Sequence, residues 1–191
     1  TLTTASWAPG IWVGAENAKV DIYDATLATL RGTFDISQVN LDTRVVTVGS
    51  TPTGVIATDR IFWKGAQGNE FKGLHGIMTE TSSLFGINPS AYSLFRSVEY
   101  DAGSAALSFA KIQSAIARGV EKGLDEDVVC LVNPRTWSNL MTEQAALRMY
   151  DSSYKLAEMD NGAQAIKFYA QNGVVEIRPC TYVKESLAFI V

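Results

Sequence analysis

The feature that most limits what this chain can fold into is the segregation of its strand and helix signals. Thirteen of the sixteen threonines lie at or before Thr81, in a stretch of short alternating segments cut by Gly, Pro, Asp and Asn. β-Branched residues in period-two segments with turn chemistry between them read as strands. The candidates are residues 11–14, 19–23, 33–39, 43–49 and 60–64. Asn40, Leu41 and Asp42 would close one hairpin, and residues 52–54 another. No helical period falls among these strands, which favours a β unit over a βαβ layer. The expectation is a compact β unit, barrel-like or sandwich-like, over residues 10–66 of a first domain spanning 1–66.

The second domain, residues 67–191, reads as α+β. Gly65, Gly68, Gly73 and Gly76 break the strand pattern, while Phe71, Leu74, Ile77 and Met78 keep the segment apolar enough to expect it buried. Pro89, Tyr92 and Phe95 continue it as a loop held down by large side chains, followed by a short extended piece at 96–100. Phe109, Ile112, Ile116 and Val120 recur at helical spacing, which predicts a helix over 105–122, about 27 Å long, capped by Ser104 and ended by Gly123. The apolar run Val128–Val132 fits a strand buried on both faces. Asn133 as N-cap and Pro134 as first residue open a second helix, whose apolar side is Trp137, Leu140, Met141 and Ala145. Beyond a polar stretch reaching Asp160, strands at 163–170 and 174–178 flank Asn172-Gly173, the pair expected at the two positive-φ positions of a type I′ turn. Pro179 ends the second of these strands, and residues 187–191 form a further one.

Composition narrows the function. A hydrophobic fraction of 47% with 19% charged residues belongs to a folded protein. No apolar run approaches the roughly 18 to 20 residues of a membrane span, and no signal-peptide pattern opens the sequence. Sixteen Lys and Arg stand singly among twenty Asp and Glu, a net charge of −4, so the clustered cations of avid sequence-independent nucleic-acid binding are missing. The chain opens on Thr1 and closes within an apolar strand-like run, from which a fragment of a longer polypeptide is expected.

No residue pattern assembles into chemistry. Cys130 and Cys180 sit among apolar neighbours in strand-like runs and read as buried free thiols that neither pair nor react. His75 is the one histidine, too few for a zinc site and in too short a motif to mark a triad. There is no Gly-x-Ser-x-Gly elbow, no phosphate loop and no dinucleotide fingerprint, so the glycines at 65–76 read as bends. Asp125, Glu126 and Asp127 resemble one edge of a cation site but read as a solvated turn. A pair of glycosidase carboxylates is not marked by spacing, and nothing points to one. Trp63 and Trp137 are expected in cores, whereas Trp7 and Trp12 are expected exposed or against chain outside this sequence. No catalytic, cofactor-binding or metal residue is therefore assigned, and no cofactor.

Taken in order, Phe71-Lys72-Gly73-Leu74-His75-Gly76-Ile77-Met78, Ser83-Leu84-Phe85-Gly86-Ile87-Asn88, the amphipathic helix, Val128-Val129-Cys130-Leu131-Val132 and Asn133-Pro134-Arg135-Thr136-Trp137-Ser138-Asn139-Leu140 resemble a major capsid protein of tailed bacteriophages. The resemblance covers roughly residues 55–191 and rests on packing and capping motifs. It implies the Hong Kong 97-type capsid fold, with the axial and peripheral portion present, residues 1–66 as a β-rich insertion or peripheral unit, and the arm, extended loop and spine helix upstream. It further implies a non-enzymatic structural subunit of a phage or prophage icosahedral capsid, self-assembling into pentamers and hexamers around double-stranded DNA. Its partners would be copies of itself, a scaffolding protein and a portal, with packaged DNA touched only non-specifically and no membrane involved. Its place would be the virion capsid, after synthesis in the host bacterial cytoplasm. No cross-linking lysine or asparagine of the family maps onto a position here. The alternative from another class is a carbohydrate-binding or adhesion module, and a small hydrolase stands third.

Overall fold

The computed structural model describes residues 7–50, 52–148 and 166–191, in two compact units, Thr1–Lys72 and Gly73–Val191. The first unit opens on a single helical turn, α1 (Pro9–Trp12), where a strand over 11–14 was expected. Pro9 explains the difference, because its fixed φ and missing N–H suit the first turn of a helix and Ala8 before it is extended. Four strands follow: β1 (Lys19–Tyr23), β2 (Leu30–Asn40), β3 (Val45–Val48) and β4 (Arg60–Trp63). They form one antiparallel sheet in the order β3-β2-β1-β4.

Side-chain oxygens set the turns. Asp24 accepts from the N–H groups of Ala28 (2.9 Å) and Thr29 (3.1 Å), which closes the β1–β2 connection. Asn40 Oδ1 accepts from Asp42 N (3.1 Å) and Thr43 N (2.8 Å), closing β2–β3 as the sequence predicts. The second expected hairpin, at 52–54, does not form. Instead β4 crosses to the far edge and pairs with β1, where the register Val20↔Trp63 puts the indole beside Val20. The unit is consequently one open sheet, neither barrel nor sandwich, with β3 and β4 as its edges.

A single sheet with an apolar face must be covered by something. Here the cover is the N-terminal segment. Trp7 and Trp12 are 1% and 7% exposed, stacked with centroids 6.4 Å apart, and Trp63 tilts against Trp12 at 5.9 Å. With Ala15, Val20 and Ile36 they make the core, so the expectation that Trp7 and Trp12 face outward is overturned.

The second unit contains α2 (Leu74–Met78), α3 (Phe109–Val120), β5 (Val128–Val132), α4 (Pro134–Arg148), β6 (Ile166–Ala170), β7 (Gly173–Pro179) and β8 (Ala188–Ile190). Helix α3 starts four residues later than its periodicity predicts and is about 18 Å long. Ser108, not Ser104, is its N-cap, extended and accepting from Lys111 N at 3.4 Å; Ser104 has φ +56°, which an N-cap does not adopt. Its far end closes as expected, with Gly123 at φ +96° and Leu124 N donating to Gly119 O at 3.1 Å.

The sheet order is β6-β7-β5-β8, with β5 and β7 parallel and the other pairs antiparallel. Ile112 and Ile116 from α3 and Leu140 from α4 pack with Val128, Cys130, Val132, Val175 and Ile177 in one cluster. Strand β5 was expected buried on both faces, yet Val129 and Leu131 are only half-buried because the apolar faces of the helices meet the other side. At the strand's end Asn133 caps α4 by accepting from Arg135 N (3.0 Å) while its amide donates to Val183 O (2.8 Å). Residues 163–165 and the side chain of Ala145 lie outside the described residues.

The β6–β7 hairpin is present, but one residue earlier than its sequence signal. Ala170 pairs with Gly173, so Gln171 and Asn172 form the loop, and neither has a positive φ. Asn172 is tied down by donating to Glu126 O (2.7 Å), and Val174 N donates to Asp127 Oδ1 (2.8 Å). Gly173 sits at φ +131° with that Asp127 oxygen 2.5 Å from where a Cβ would be, so glycine is required there by both conformation and space.

Candidate interaction surface

The residues weighed for chemistry are dispersed. His75 lies exposed on α2 with its ring edge-on to Phe189, centroids 6.4 Å apart. Both cysteines are free. Cys130 is buried in β5, and burial pushes its thiol pKa up to about 12. Cys180 stands one residue beyond β7 rather than within a strand, half-buried, its N–H donating to Val132 O at 2.7 Å. Asp125, Glu126 and Asp127 form an exposed turn whose polar atoms anchor the β6–β7 hairpin. Among the described residues no three His, Cys, Asp or Glu side chains come together as a metal site. No helix there is long and apolar enough to cross a membrane.

One buried carboxylate escaped the sequence reading. Asp21 lies between Val20 and Ile22 in β1 and is 4% exposed. It accepts from the Thr33 hydroxyl on β2 (2.5 Å) and from Gly65 N just beyond β4 (2.8 Å), stitching three strands. The Thr33 and Gly65 bonds hold its pKa below the usual carboxylate range, with help from the Lys64 charge. Gly65 at φ +73° aims its N–H inward, which is the use of one of the glycines read as bends.

The exposed apolar side chains are what this protein concentrates. Among the described residues fifteen large apolar residues stand exposed, and six of them, Leu74, Phe85, Ile87, Tyr92, Leu94 and Phe95, fall within residues 74–95. Leu94 is 89% exposed and Phe85 80%. The sequence reading had this stretch buried under its own large side chains, and the structure reverses that. Phe71, in the first unit, is likewise 92% exposed. The reason is local: the backbone bonds of residues 84–95 close on themselves. Leu84 and Ile87 exchange both N–H···O bonds around Phe85 (φ +52°) and Gly86 (φ +81°), the two positive-φ positions of a type I′ turn. Ala91 and Tyr92 both donate to Asn88 O, and Phe95 donates to Tyr92 O. Leu84 and Pro89 are turned inward and buried, which turns Phe85 and Leu94 outward.

Between this stretch and α3 lies a cleft of about 510 Å³ lined by Arg96, Glu99, Arg118, Glu121 and Lys122 among others. Arg118 donates to Glu99 O (3.1 Å) and lies over the Tyr100 ring at 5.0 Å. Lys122 donates to Arg96 O (3.1 Å) and Ser93 O (3.4 Å).

No model of a known protein family matches the chain, and neither a curated protein nor a solved structure matches it. No sequence signal marks the turn that displays Phe85, since the pairs that mark a type I′ turn are Asn-Gly and Asp-Gly. A phenylalanine at positive φ is a conformation that sequence statistics disfavour.

Proposed function

We propose that this chain is a structural subunit of a tailed-phage or prophage capsid shell, of the Hong Kong 97-type fold, that assembles with copies of itself into pentamers and hexamers. The observation that carries the reading is Phe85. A bulky side chain held at positive φ is strained, and such strain persists where the surrounding structure enforces it for a use. Here the strained residue is an aromatic ring 80% open to solvent, in a stretch with five other exposed apolar residues. Exposed apolar side chains gathered in one stretch support a contact site. The order of elements agrees with the resemblance: the Gly-Leu-His-Gly segment, an amphipathic helix, a core strand entering an Asn-Pro-capped helix, then a hairpin and a last strand.

A closed ring or shell leaves no unpaired interface, which is why repetition of one apolar contact is enough to build it. Each contact needs roughly 1,000 Å² to be specific. Scaffolding protein and portal would meet the same lattice, and packaged DNA its inner face without base recognition. The test is sedimentation and negative-stain imaging of the protein as its gene encodes it, with scaffold and protease supplied. Pentamers, hexamers or closed particles are the expected result. A protein that stays monomeric at high concentration overturns the reading, and retention of that monomer on a glycan array would put the adhesion module in its place.

A further inference from the structure

Lys111 and Arg118 lie at i and i+7 on α3, which brings them onto one face of the helix, and Lys122 follows two residues past its last turn. All three spend their donors on main-chain carbonyls of the preceding segment: Lys111 on Ala106 O (2.7 Å), Arg118 on Glu99 O, and Lys122 on Arg96 O and Ser93 O. The order is inverted, so residues 93–106 run antiparallel to the helix and are gripped at three levels. With four carbonyls and the carboxylates of Glu99 and Glu121 around them, these cations are electrically occupied and do not read as an anion site.

Most of the segment is exposed, with Leu84 and Pro89 its buried residues. Residues 79–107 contain no helix and no strand, and loops of that length without regular structure are uncommon in compact domains, where they are functional elements or linkers. Their backbone hydrogen bonds over 84–95 are local, Ser90 donates to Thr81 O (2.5 Å) within the segment, and its ends are anchored by Ser97 donating to Met78 O and by Leu107 against the sheet core. From this we infer that residues 79–107 form a detachable strap, clasped to α3 by Lys111, Arg118 and Lys122 through backbone carbonyls, which opens as a unit while the β5–β7 core stays closed. Local opening of this kind is set by few buried apolar contacts. The strap carries Phe85, Tyr92 and Leu94, so the clasp governs how the apolar surface is presented. This goes beyond the assembly reading, and its test involves no assembly.

The experiment is chymotrypsin cleavage at Tyr92, Leu94 and Phe95 with hydrogen exchange on the same samples, for the full chain and for Arg118→Ala/Lys122→Ala. Cleavage of a transiently opened segment tracks the population of the open form. Loss of two charge-assisted clasps should raise it about tenfold or more, while amides of β5 and β7 keep their protection. Lys122→Arg keeps a donor and should cleave as the parent chain does. Unchanged cleavage in the double variant overturns the inference. So does a loss of protection in β5 and β7 equal to that in the strap, since the strap would then open only with the whole unit. Should the double variant not fold, Lys122→Ala alone, at an exposed position, is read by the same criteria.

Discussion

An ionised carboxylate inside a sheet is costly unless its oxygens are satisfied, and Asp21 meets that condition with one hydroxyl from β2 and one backbone N–H from the turn after β4. Its pKa is held down, so folding favours the charged form. The stabilisation is then complete above the unfolded value, near pH 4, and is lost as pH falls through the lower folded value. Asp21→Ala should cost about 1.5 to 3 kcal/mol at neutral pH, the range for hydrogen bonds to a charged group. Asp21→Asn should flatten the acid limb of stability below about pH 4 relative to the parent chain. Urea unfolding followed by tryptophan fluorescence reads both, since Trp7, Trp12 and Trp63 all lie in this unit. An acid limb unchanged by the substitution would show that Asp21 does not couple protons to folding. The thiols give a second residue-scale outcome. A thiol with its pKa near 12 has almost no thiolate at neutral pH, so native protein should label at Cys180 first and at Cys130 only on unfolding. Equal native labelling rates would contradict the burial of Cys130.

At the scale of elements, what was legible in the sequence is what local chemistry alone decides. Strands β1 and β5 and the Asn133-Pro134 start of α4 fall where period and capping put them, because each rests on contiguous residues. The errors came where partners far along the chain decide. Nothing near residues 52–54 says that β4 pairs with β1, and nothing near Asn172 says that Glu126 and Asp127 will seize the hairpin and shift its turn by one residue. Asp21 was invisible for the same reason, its partners being 12 and 44 residues away. Apolar composition over 74–95 predicts burial, whereas the two-residue turn at Phe85 and Gly86 turns such side chains outward. Helix α3 was legible in its inner face. Ile116 is 1% exposed and packs between the helix and the sheet, so Ile116→Ala should destabilise the second unit by about 2 to 5 kcal/mol. Chemical denaturation monitored by circular dichroism checks it, and a loss below about 0.5 kcal/mol would remove Ile116 from the core.

For the molecule as a whole, stability and the proposed assembly would place opposite demands on Phe85. As part of a lone subunit the residue is a defect: a bulky side chain at positive φ, 80% exposed, before Gly86. Asparagine before glycine is the pair a type I′ turn prefers, so Phe85→Asn should leave the subunit as stable as before or more so, by up to about 1 kcal/mol. Leu94→Ser, at 89% exposure, should change subunit stability by no more than about 0.5 kcal/mol. In an assembly that covers this surface the same substitutions remove buried apolar side chains, each worth about 1.5 to 3 kcal/mol. Every 1.4 kcal/mol is about tenfold in an association constant, so the critical concentration for particles should rise at least tenfold for each change. The checks are thermal unfolding of the subunit and light scattering of assembly across a concentration series, on the same preparations. A subunit made steadier and an assembly made weaker by Phe85→Asn is a pairing that a purely structural turn would not give. If assembly is unchanged while stability rises, the ring faces solvent in the particle and the shell contact lies elsewhere.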